Sequence, residues 1–337
     1  MSLTITIATD PSCFAQLESE WLELLERAQT NTVFQTPQFL SAWWEALGVG
    51  SLQVVVLRDN AGIMQGIAPL YIEITGEGKR QLSFIGCVNV SDYLDVIVSK
   101  DHSTAVYQAL YEFLQAQNGF DTVYWCSLPE YSQTRAFLKD SFPQAQERIQ
   151  DVAPYISLPS TWEEYLSTLE RKQRHEVKRK WRRLEELDHI FEVITEEYAA
   201  KDALDEFIAL HTTSSAAKRE FWNDEHLKFF KELIPRMARA GWLRLFFLTI
   251  EGKRVASMLL FDYNNEYELY NSGFDPALYK EVGTGSTLTA YTIKHAIEHG
   301  KGIYDFLRGG EEYKYRLGGV KREVFDISIA QLTKPLE

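Results

Sequence analysis

Apolar positions recur along the chain with two different spacings, and their order predicts mixed α/β structure. Residues 3–8 alternate as in a strand, and residues 11–28 carry apolar side chains at helical spacing. Turn residues divide the strand-like runs that follow, which favours an antiparallel meander. The predicted elements after residue 28 are a helix over 37–47, strands at 53–58, 66–74, 81–86 and 93–98, a helix over 103–117 and a buried strand over 120–128.

The second half of the chain repeats this order of elements. Asn118-Gly119 and His299-Gly300 are helix-stop signals before the last strand of each half. The repeat predicts two copies of one unit, at residues 1–155 and 156–337, although the halves share little residue identity and accidental similarity of two mixed domains stays open. The predicted elements are strands at 191–195, 243–250, 255–263, 265–274 and 302–307, and helices at 201–216, 223–240 and 286–299.

Residues 161–187 predict one long helix that links the copies and begins the second. Thr161 is its expected N-cap, and Glu164 three residues later completes a capping-box pattern. The segment RKQRHEVKRKWRR at 171–183 carries eight Lys or Arg in thirteen residues, against one Glu. This helix is therefore a concentrated positive patch.

Composition excludes several classes of protein. The formal net charge of −13 argues against a protein that coats nucleic acid, which needs a basic surface. Cys13, Cys87 and Cys126 lie far apart without a C-x-x-C motif, so we expect neither a disulfide framework nor a zinc site, and we favour the cytoplasm. No run approaches the roughly 18 apolar residues of a transmembrane helix, and residues 1–10 do not resemble a secretion signal. The sequence does not indicate an oligomeric state.

The stretch KEVGTGSTLTAY at 280–291 places a glycine-rich loop between a strand and a helix. Free N–H groups at a helix start form an anion site, and glycines let the backbone approach the anion closely. Spacing alone supports equally a tight loop before a core helix.

The loop K-x-x-G-x-G at 280–285 resembles the R/Q-x-x-G-x-G/A pyrophosphate loop of the GNAT N-acyltransferases, with Lys in place of Arg or Gln. Over nearly its whole length the chain resembles the CelD-like GNAT proteins, relatives of the Fem-type aminoacyltransferases, which carry two GNAT-like halves. The matching segments are FQTPQFLSAWW (34–44), the basic helix, YNSGFDPALYKEVGTGSTL (270–288) and DFLRGGEEYKYRLGG (305–319).

The resemblance implies an α/β (α+β) fold of tandem GNAT-like domains, each a mixed, mostly antiparallel sheet flanked by helices. It implies transfer of an acyl group from acetyl-CoA or another acyl-CoA to an amine of a sugar, an amino acid or a cell-envelope precursor. The corresponding loop of the first copy, residues 98–107, has no glycine, so the cofactor is expected in the second copy. The cofactor-binding residues would be Lys280, Val282, Gly283, Thr284, Gly285 and Ser286.

Acyl transfer to an amine needs a general base, because an alkyl amine is protonated at neutral pH. Glu268, Asp275 and Asp305 are candidates, and each has a structural alternative as a strand-face, turn or strand-end carboxylate. Tyr313 is the candidate to protonate the leaving thiolate, although tyrosines are also ordinary packing residues. In the family, a backbone N–H near residues 271–274 would bind the carbonyl oxygen.

The basic helix has three interpretations. The first is a solvated helix face. The second is a site for an anionic acceptor such as a nucleotide-sugar, bound by Lys172 and Arg174 together with Lys314, which lies beside Tyr313 in the sequence. The third is a tRNA-binding surface. The last two readings keep two alternatives open: a Fem-like tRNA-dependent aminoacyltransferase, and a non-catalytic binding protein for an anionic glycan precursor. His295 and His299 lie four apart on one helix face, but without a metal-binding motif we interpret them as surface residues and expect no metal.

Overall fold

The computed structural model of the chain describes residues 3–87, 90–116 and 119–330. Asn118, in the first predicted helix-stop signal, lies outside these residues. The strands are Thr4–Ala8 (β1), Ser51–Arg58 (β2), Met64–Ile74 (β3), Arg80–Phe84 (β4), Ile97–Val98 (β5), Thr122–Pro129 (β6), Gln146–Val152 (β7), Tyr155–Ser157 (β8), His189–Ile194 (β9), Leu243–Ile250 (β10), Lys253–Tyr263 (β11), Glu266–Phe274 (β12), Ile303–Asp305 (β13) and Glu323–Ile329 (β14).

Helices connect and cover these strands. They are Cys13–Gln16 (α1), Glu18–Glu26 (α2), Pro37–Leu47 (α3), Ser103–Gln115 (α4), Gln133–Ser141 (α5), Trp162–Thr168 (α6), Arg171–Glu185 (α7), Glu197–Ser214 (α8), Ala216–Phe221 (α9), Asp224–Arg239 (α10), Thr284–Glu298 (α11) and Glu312–Arg316 (α12). The long helices and most strands lie within a few residues of their predicted positions. The predicted strand at 93–98 is wrong over most of its length, since only Ile97–Val98 pairs.

The chain divides into two compact units, and six strands of the first sheet have the same order as the six strands of the second. Among the described residues, strands β5 and β7 of the first sheet have no counterpart in the second. In the first sheet β1 to β4 are antiparallel, β6 is parallel to β4 and β14 is antiparallel to β6. In the second sheet β9 to β12 are antiparallel, β13 is parallel to β12 and β8 is antiparallel to β13. This common order agrees with the predicted fold class of two mixed, mostly antiparallel sheets.

The units do not coincide with the two halves of the sequence. Val152–Arg322 form the second unit, and the described residues on either side of that segment form the first. Strand β14 pairs with β6 in the first sheet, whereas the sequence division assigns residues 323–337 to the second copy. Strand pairing over such a separation leaves no local pattern for a sequence to reveal.

The predicted helix over 161–187 is interrupted. Thr161 and Glu164 form the expected capping box, but α6 ends at Thr168 and α7 begins at Arg171. The hydroxyls of Ser167 and Thr168 donate to carbonyls three residues earlier, at 2.7 Å each, and such bonds compete with continued helix. The break lets Leu169 enter the core, where it is 5% exposed.

The second sheet has helices on both faces, because successive side chains of a strand point to opposite sides. Leu260 of β11 belongs to the apolar cluster that contains Leu288 and Ile293 of α11. The next residue, Phe261, contacts Tyr270, which stacks on Phe230 of α10. The end of β12 thus lies between α11 on one face and the α8 to α10 segment on the other.

The first unit contains a disulfide that the sequence analysis did not expect. Cys87 and Cys126 are bonded, with an S–S distance of 2.04 Å. Their 39-residue separation, without a C-x-x-C motif, concealed the pairing. Cys13 is a buried free cysteine. Among the helices of the described residues, none has the length and apolarity to cross a membrane.

Candidate functional site

Helix α11 begins at a position that only glycine occupies without strain. Gly283 is its N-cap, with a left-handed φ of 62°. The N–H groups of Val282 and Gly283 donate to the carbonyl of Tyr279 at 3.0 and 3.1 Å, which turns the chain into the helix. The first N–H groups of a helix have no carbonyl partner within it. The loop therefore presents a set of backbone donors at the positive end of the helix dipole.

Both glycines of the loop are needed for close approach. A Cβ at Gly283 would lie 2.9 Å from Nζ of Lys180, and one at Gly285 would lie 2.8 Å from Cδ1 of Phe274. Gly285 thus packs the helix start against the end of β12. Gly283 leaves room for an ammonium above the loop.

Lys180 of the basic helix α7 lies at this helix start. Its Nζ donates to Oγ of Ser286 at 2.8 Å and lies 3.5 Å from a carboxylate oxygen of Glu176. A cation near the positive end of a helix dipole is unfavourable by itself, and a bound anion would reverse the sign of that interaction. Oγ1 of Thr284, a residue that is 2% exposed, has no hydrogen-bond partner in the part of the chain that the structure describes. Loop and lysine together fit a bound phosphate group.

Lys280, the expected loop cation, is exposed, and Val282 is a core residue at 3% exposure. The residues that converge on the helix start are Gly283, Thr284, Gly285 and Ser286 from the loop. The cation beside them comes from Lys180, which the sequence analysis placed only among the basic residues of the linking helix.

A cavity of about 320 Å³ opens beside this helix start. It lies among α7, α11 and α12, and its lining includes Lys172, Lys180, Ser286, Tyr313 and Arg316. Tyr313 also contacts Phe306 edge-on, with ring centroids 6.2 Å apart. Burial raises the pKa of Tyr313, with the charge of Glu311 adding to the effect, so its hydroxyl stays protonated. The cavity thus joins the anion-binding loop to a phenol donor.

Strands β12 and β13 separate after a short parallel pairing. Only Glu266–Glu268 pair with Ile303–Asp305. After Asp305 the chain diverges from β12, and the N–H of Phe306 donates to the carbonyl of Pro154 at 2.9 Å. A register shift at Tyr270 marks a bulge in β12, just beyond Glu268, the last residue that pairs with β13. Two strands that separate in this way open a gap at the carboxyl end of β13.

Two candidate carboxylates meet at the base of this gap. Glu268 and Asp305 are register partners and face the same side of the sheet, at 3% and 0% exposure. Asp305 accepts from the N–H of Leu307 at 2.7 Å and from Arg322 at 3.0 Å. Burial raises the pKa of the neighbouring Glu266 to about 7, helped by the charge of Asp305 and opposed by Arg322. The three acids form one cluster, in which Glu268 and Asp305 are buried and Glu266 is half-buried.

Lys218 of α9 extends toward the part of β12 that lies beyond the bulge. Its Nζ donates to the backbone carbonyl of Ser272 and lies 3.4 Å from the Ser272 hydroxyl. Burial lowers the pKa of Lys218, an effect opposed by the charge of Glu311 and reinforced by that of Lys314. A partly buried ammonium therefore lies beside the separated strand.

His211 supports the same strand from α8. It is 2% exposed, its Nε2 lies 3.1 Å from Oδ1 of Asn271 and its Nδ1 accepts from the indole of Trp222 at 3.0 Å. These partners fix the tautomer with the proton on Nε2. Burial lowers the pKa of His211 to about 3, with the charge of Lys218 adding to the shift, so the ring is neutral at physiological pH.

Other sequence candidates have local roles. Lys314, at 3% exposure, donates to the carbonyls of Leu307, Arg308 and Gly309 at 2.8 to 3.0 Å, which holds the loop after β13 and leaves its ammonium little capacity for a substrate. Asp275 accepts from the N–H of Ala277 at 2.9 Å, as expected for a turn residue.

Arg174, a cationic candidate on α7, and the histidine pair His295 and His299 also make local contacts. Arg174 makes one long contact, 3.4 Å, to the carbonyl of Ser167. His295 stacks on His299 with centroids 3.8 Å apart and bonds to the Tyr267 hydroxyl, so it is half-buried rather than a surface residue.

The family model for the acetyltransferase (GNAT) domain matches residues 171–315, which contain the loop, the carboxylates and Lys218. No curated protein matches the chain by sequence. The fold is similar to that of FemX, at 13% identity and a TM-score of 0.69 over 99% of this chain and 98% of that one. It is also similar to L-PGS from Bacillus licheniformis, at 13% identity and a TM-score of 0.57 over 95% and 92% of the two chains.

A third similar structure is a conserved protein of unknown function from Bacteroides thetaiotaomicron, at 14% identity and a TM-score of 0.56 over 96% and 99% of the two chains. At such identities the three likenesses show the fold alone. The domain match covers the glycine loop and the separating strands of the second unit.

Proposed function

We propose that this chain, in which residues 171–315 match the acetyltransferase (GNAT) domain, transfers an acyl group from acetyl-CoA or another acyl-CoA to an amine. The acceptor we propose is a small molecule, in the class of amino sugars, nucleotide-sugars, amino acids or cell-envelope precursors. The observation that carries the proposal is the left-handed Gly283 at the start of α11 with Lys180 above it. The cytoplasmic location stays a prediction.

The residues at the helix start fit the pyrophosphate of an acyl-CoA. Thr284, Gly285 and Ser286, the first residues of α11, would contribute backbone N–H groups. Lys180 would neutralise charge, since a hydrogen bond to a charged group contributes roughly 1.5 to 3 kcal/mol. A Cβ at Gly283 would occupy the space next to Lys180. Acyl-CoA supplies an activated thioester carbonyl, and the chain supplies the groups that orient it and move protons.

Glu268 is the proposed general base for the acceptor amine. Its position beside Asp305, where β12 and β13 separate, puts a carboxylate on the face covered by the α8 to α10 segment. Glu266, with a pKa of about 7, and Asp305 lie next to it, so the cluster can accept a proton and pass it on. Arg322 holds Asp305 through a 3.0 Å bond and keeps negative charge in the cluster.

Tyr313 is the proposed donor to the sulfur that leaves. Burial raises its pKa above that of an ordinary phenol, and an alkyl thiol has a pKa of roughly 8.5. Since the thiolate is the weaker base, Tyr313 would donate a hydrogen bond to it rather than transfer its proton completely. Lys218 would stabilise negative charge that develops beside Ser272.

A second candidate is a tRNA-dependent aminoacyltransferase. It is favoured by the fold likeness to FemX together with the exposed cations of α7. It predicts tRNA binding that weakens steeply with salt and that is lost when Arg179, Lys180, Arg182 and Arg183 are neutralised. Absence of such binding at low salt would exclude this candidate.

The experiment that tests the proposal is thiol release from a panel of acyl-CoA donors against pooled amine metabolites. We expect release with at least one donor and far slower release with Gly283→Val. A folded protein that neither releases thiol nor binds any acyl-CoA, by thermal shift or by hydrogen-exchange protection of residues 281–287, would overturn the acyl-CoA assignment. It would leave a non-catalytic GNAT-fold binding protein as the remaining reading.

The role of Glu268 has its own test. Glu268→Gln removes the base but keeps the size of the side chain, and general-base catalysis contributes roughly 10²- to 10⁴-fold. We expect kcat to fall within that range while KM for acyl-CoA stays within about twofold of the unchanged protein. An unchanged kcat would exclude Glu268 as the base and direct attention to Asp305.

A further inference from the structure

The last part of β12 has its outer edge, the one that faces away from β11, bonded by side chains of α8 and α9. The N–H of Phe274 donates to Oγ of Ser214 at 2.8 Å, and that Oγ lies 3.0 Å from the carbonyl oxygen of Phe274. Two residues earlier, the backbone carbonyl of Ser272 accepts from Nζ of Lys218. Backbone groups of an antiparallel strand alternate between its two edges, so Ser272 and Phe274 present theirs on the same edge.

Helix α8 lies directly against this part of the strand. A Cβ at Gly273 would lie 2.3 Å from the backbone N of His211, so only glycine lets the helix approach this closely. Oγ of Ser214 also lies 2.9 Å from the carbonyl oxygen of Leu210, the bond expected of a serine within a helix. The Ser214 hydroxyl therefore keeps a partner when it releases β12.

The segment that carries Lys218 has little attachment to the core. Helix α9 has six residues, and none of them is buried. Ser215 joins α9 to α8 in an extended conformation, with φ of −164° and ψ of 162°. Segments with few buried contacts open locally at a low cost in free energy. Lys218 can therefore leave Ser272 without removing a buried side chain of α9 from the core.

An acyl-CoA bound at the glycine loop would pass along the same edge of β12. Gly285 of the loop packs against the ring of Phe274, and the candidate base Glu268 lies earlier on the same strand. The arm of coenzyme A between the pyrophosphate and the sulfur contains two amides, each with an N–H and a carbonyl. An extended chain with such groups bonds to a strand edge through them. The groups that it would need on β12 are those that Ser214 and Lys218 hold.

We propose that Ser214 and Lys218 determine donor specificity, because they occupy the edge of β12 until the amide arm of an acyl-CoA replaces them. The inference rests on the proposed acyl-CoA donor and adds the step by which the protein admits it. An amide N–H of the arm takes the Ser272 carbonyl from Lys218, and an amide carbonyl takes the Phe274 N–H from Ser214. A donor without amides could bind only by leaving both backbone groups without a partner, which lowers its affinity. Lys218, once released, becomes available for the charge that develops during transfer.

Calorimetric titration of the full chain with acetyl-CoA, in the absence of an acceptor, tests this inference. Ser214→Ala removes a bond that the donor must otherwise break, so we expect the Kd for acetyl-CoA to fall about two- to tenfold. A side chain that contacted the donor directly, or that only supported the fold, would not tighten binding when removed. Thr213→Ala is the matched control and should leave the Kd unchanged, since this exposed neighbour loses a similar hydroxyl bond, 2.8 Å to the carbonyl of Ala209.

A ligand without the amide arm isolates the effect of that arm. Adenosine 3′-phosphate 5′-diphosphate keeps the phosphates of coenzyme A, so Ser214→Ala should leave its Kd unchanged. Lys218→Met should tighten acetyl-CoA binding as Ser214→Ala does, whereas Arg219→Met, which removes a charge from an exposed neighbour on α9, should not. Because no acceptor is present, these Kd values do not depend on the proposed role of Lys218 in transfer.

Hydrogen exchange provides an independent readout. Acetyl-CoA should make residues 215–221 exchange faster while it protects residues 281–287. Unchanged or weaker binding of acetyl-CoA by Ser214→Ala, or equal tightening of both ligands, would overturn the inference and leave the acyl-CoA donor standing. Failure of the unaltered protein to bind acetyl-CoA would overturn the donor assignment, and this inference with it.

Discussion

The strand position before helix α11 in the second unit, and before α4 in the first, differs between the two sheets. It is one continuous strand in the second sheet and is interrupted in the first. In the second sheet, β12 runs unbroken from Glu266 to Phe274 along β11. In the first sheet, the corresponding edge of β3 is covered by two separate strands, β4 and β5. The described residues between them, 85–87 and 90–96, lie outside the sheet, and the N–H of Leu94 donates to the carbonyl of Ser127 in β6 at 2.8 Å.

In the second unit a gap opens where β12 and β13 separate. In the first unit the corresponding position is filled by the residues between β4 and β5. The Cys87–Cys126 disulfide ties the excursion to β6, and the helix after β5 begins without a glycine loop. One order of strands therefore supports a candidate acyl-CoA site in one unit and a filled sheet in the other. On the proposed function, acyl-CoA binding depends on the strand edge and the loop after it, and not on the order of strands.

Gly283→Val should have the largest effect on this comparison. A β-branched residue cannot readily adopt a φ of 62°, and its side chain would displace Lys180. Loss of two charge-assisted contacts predicts a fall in kcat/KM of roughly a thousandfold. Ser103→Val, at the start of α4 in the first unit, is the matched control and should leave thiol release unchanged. Equal losses from both variants would contradict the assignment of the cofactor to the second unit.

Removal of the disulfide should affect the first unit only. Cys87→Ala with Cys126→Ala is expected to lower the free energy of unfolding of that unit by about 2 to 4 kcal/mol. Hydrogen exchange of β6 would report the loss, and KM for acyl-CoA should not change. A large rise in KM would mean that the closed gap of the first unit contributes to the cofactor site after all.

Local signals account for what the sequence predicted correctly. The Thr161 and Glu164 capping box, the glycines of the 280–285 loop and the alternation of the meander strands all act over a few residues, so a single sequence contains them. Glu268 and Asp305 were separate candidates for the general base, and their pairing in register is a finding of the structure.

The missed site residues depend on contacts between distant segments. Lys180 and Ser286 are separated by 106 residues, and Lys218 and Ser272 by 54. The basic run at 171–183 signalled a positive helix but not which lysine meets the loop. Lys218 lies on a six-residue helix without periodicity, so nothing local indicated its position.

A pair of lysine variants tests which cation serves the loop. Lys180→Met should raise KM for acyl-CoA roughly tenfold to a hundredfold, because one charge-assisted hydrogen bond contributes about 1.5 to 3 kcal/mol. Lys280→Met should change it by less than about twofold, since Lys280 is exposed. The reverse order of effects would restore Lys280 as the cofactor contact and leave Lys180 with only its bond to Ser286.

The two units should also respond to pH in opposite directions, with the smallest of these effects. His211 in the second unit has a pKa lowered to about 3 from 6.5, so the unfolded chain takes up a proton that the folded unit does not. Its stabilisation is complete above pH 6.5 and is lost as the pH falls toward 3. Between pH 7 and 5 the loss amounts to about 2 kcal/mol.

Asp95 in the first unit has a pKa raised by burial to about 6 from 3.8. Its neutral form is favoured in the folded unit, so stabilisation is complete below pH 3.8 and is lost as the pH rises through 6. Lowering the pH from 7 to 5 should therefore recover about 1 kcal/mol in the first unit. Hydrogen exchange resolved by unit would measure both trends, which His211→Gln and Asp95→Asn should each flatten in one unit only. Parallel trends would show that groups other than His211 and Asp95 govern the acid response.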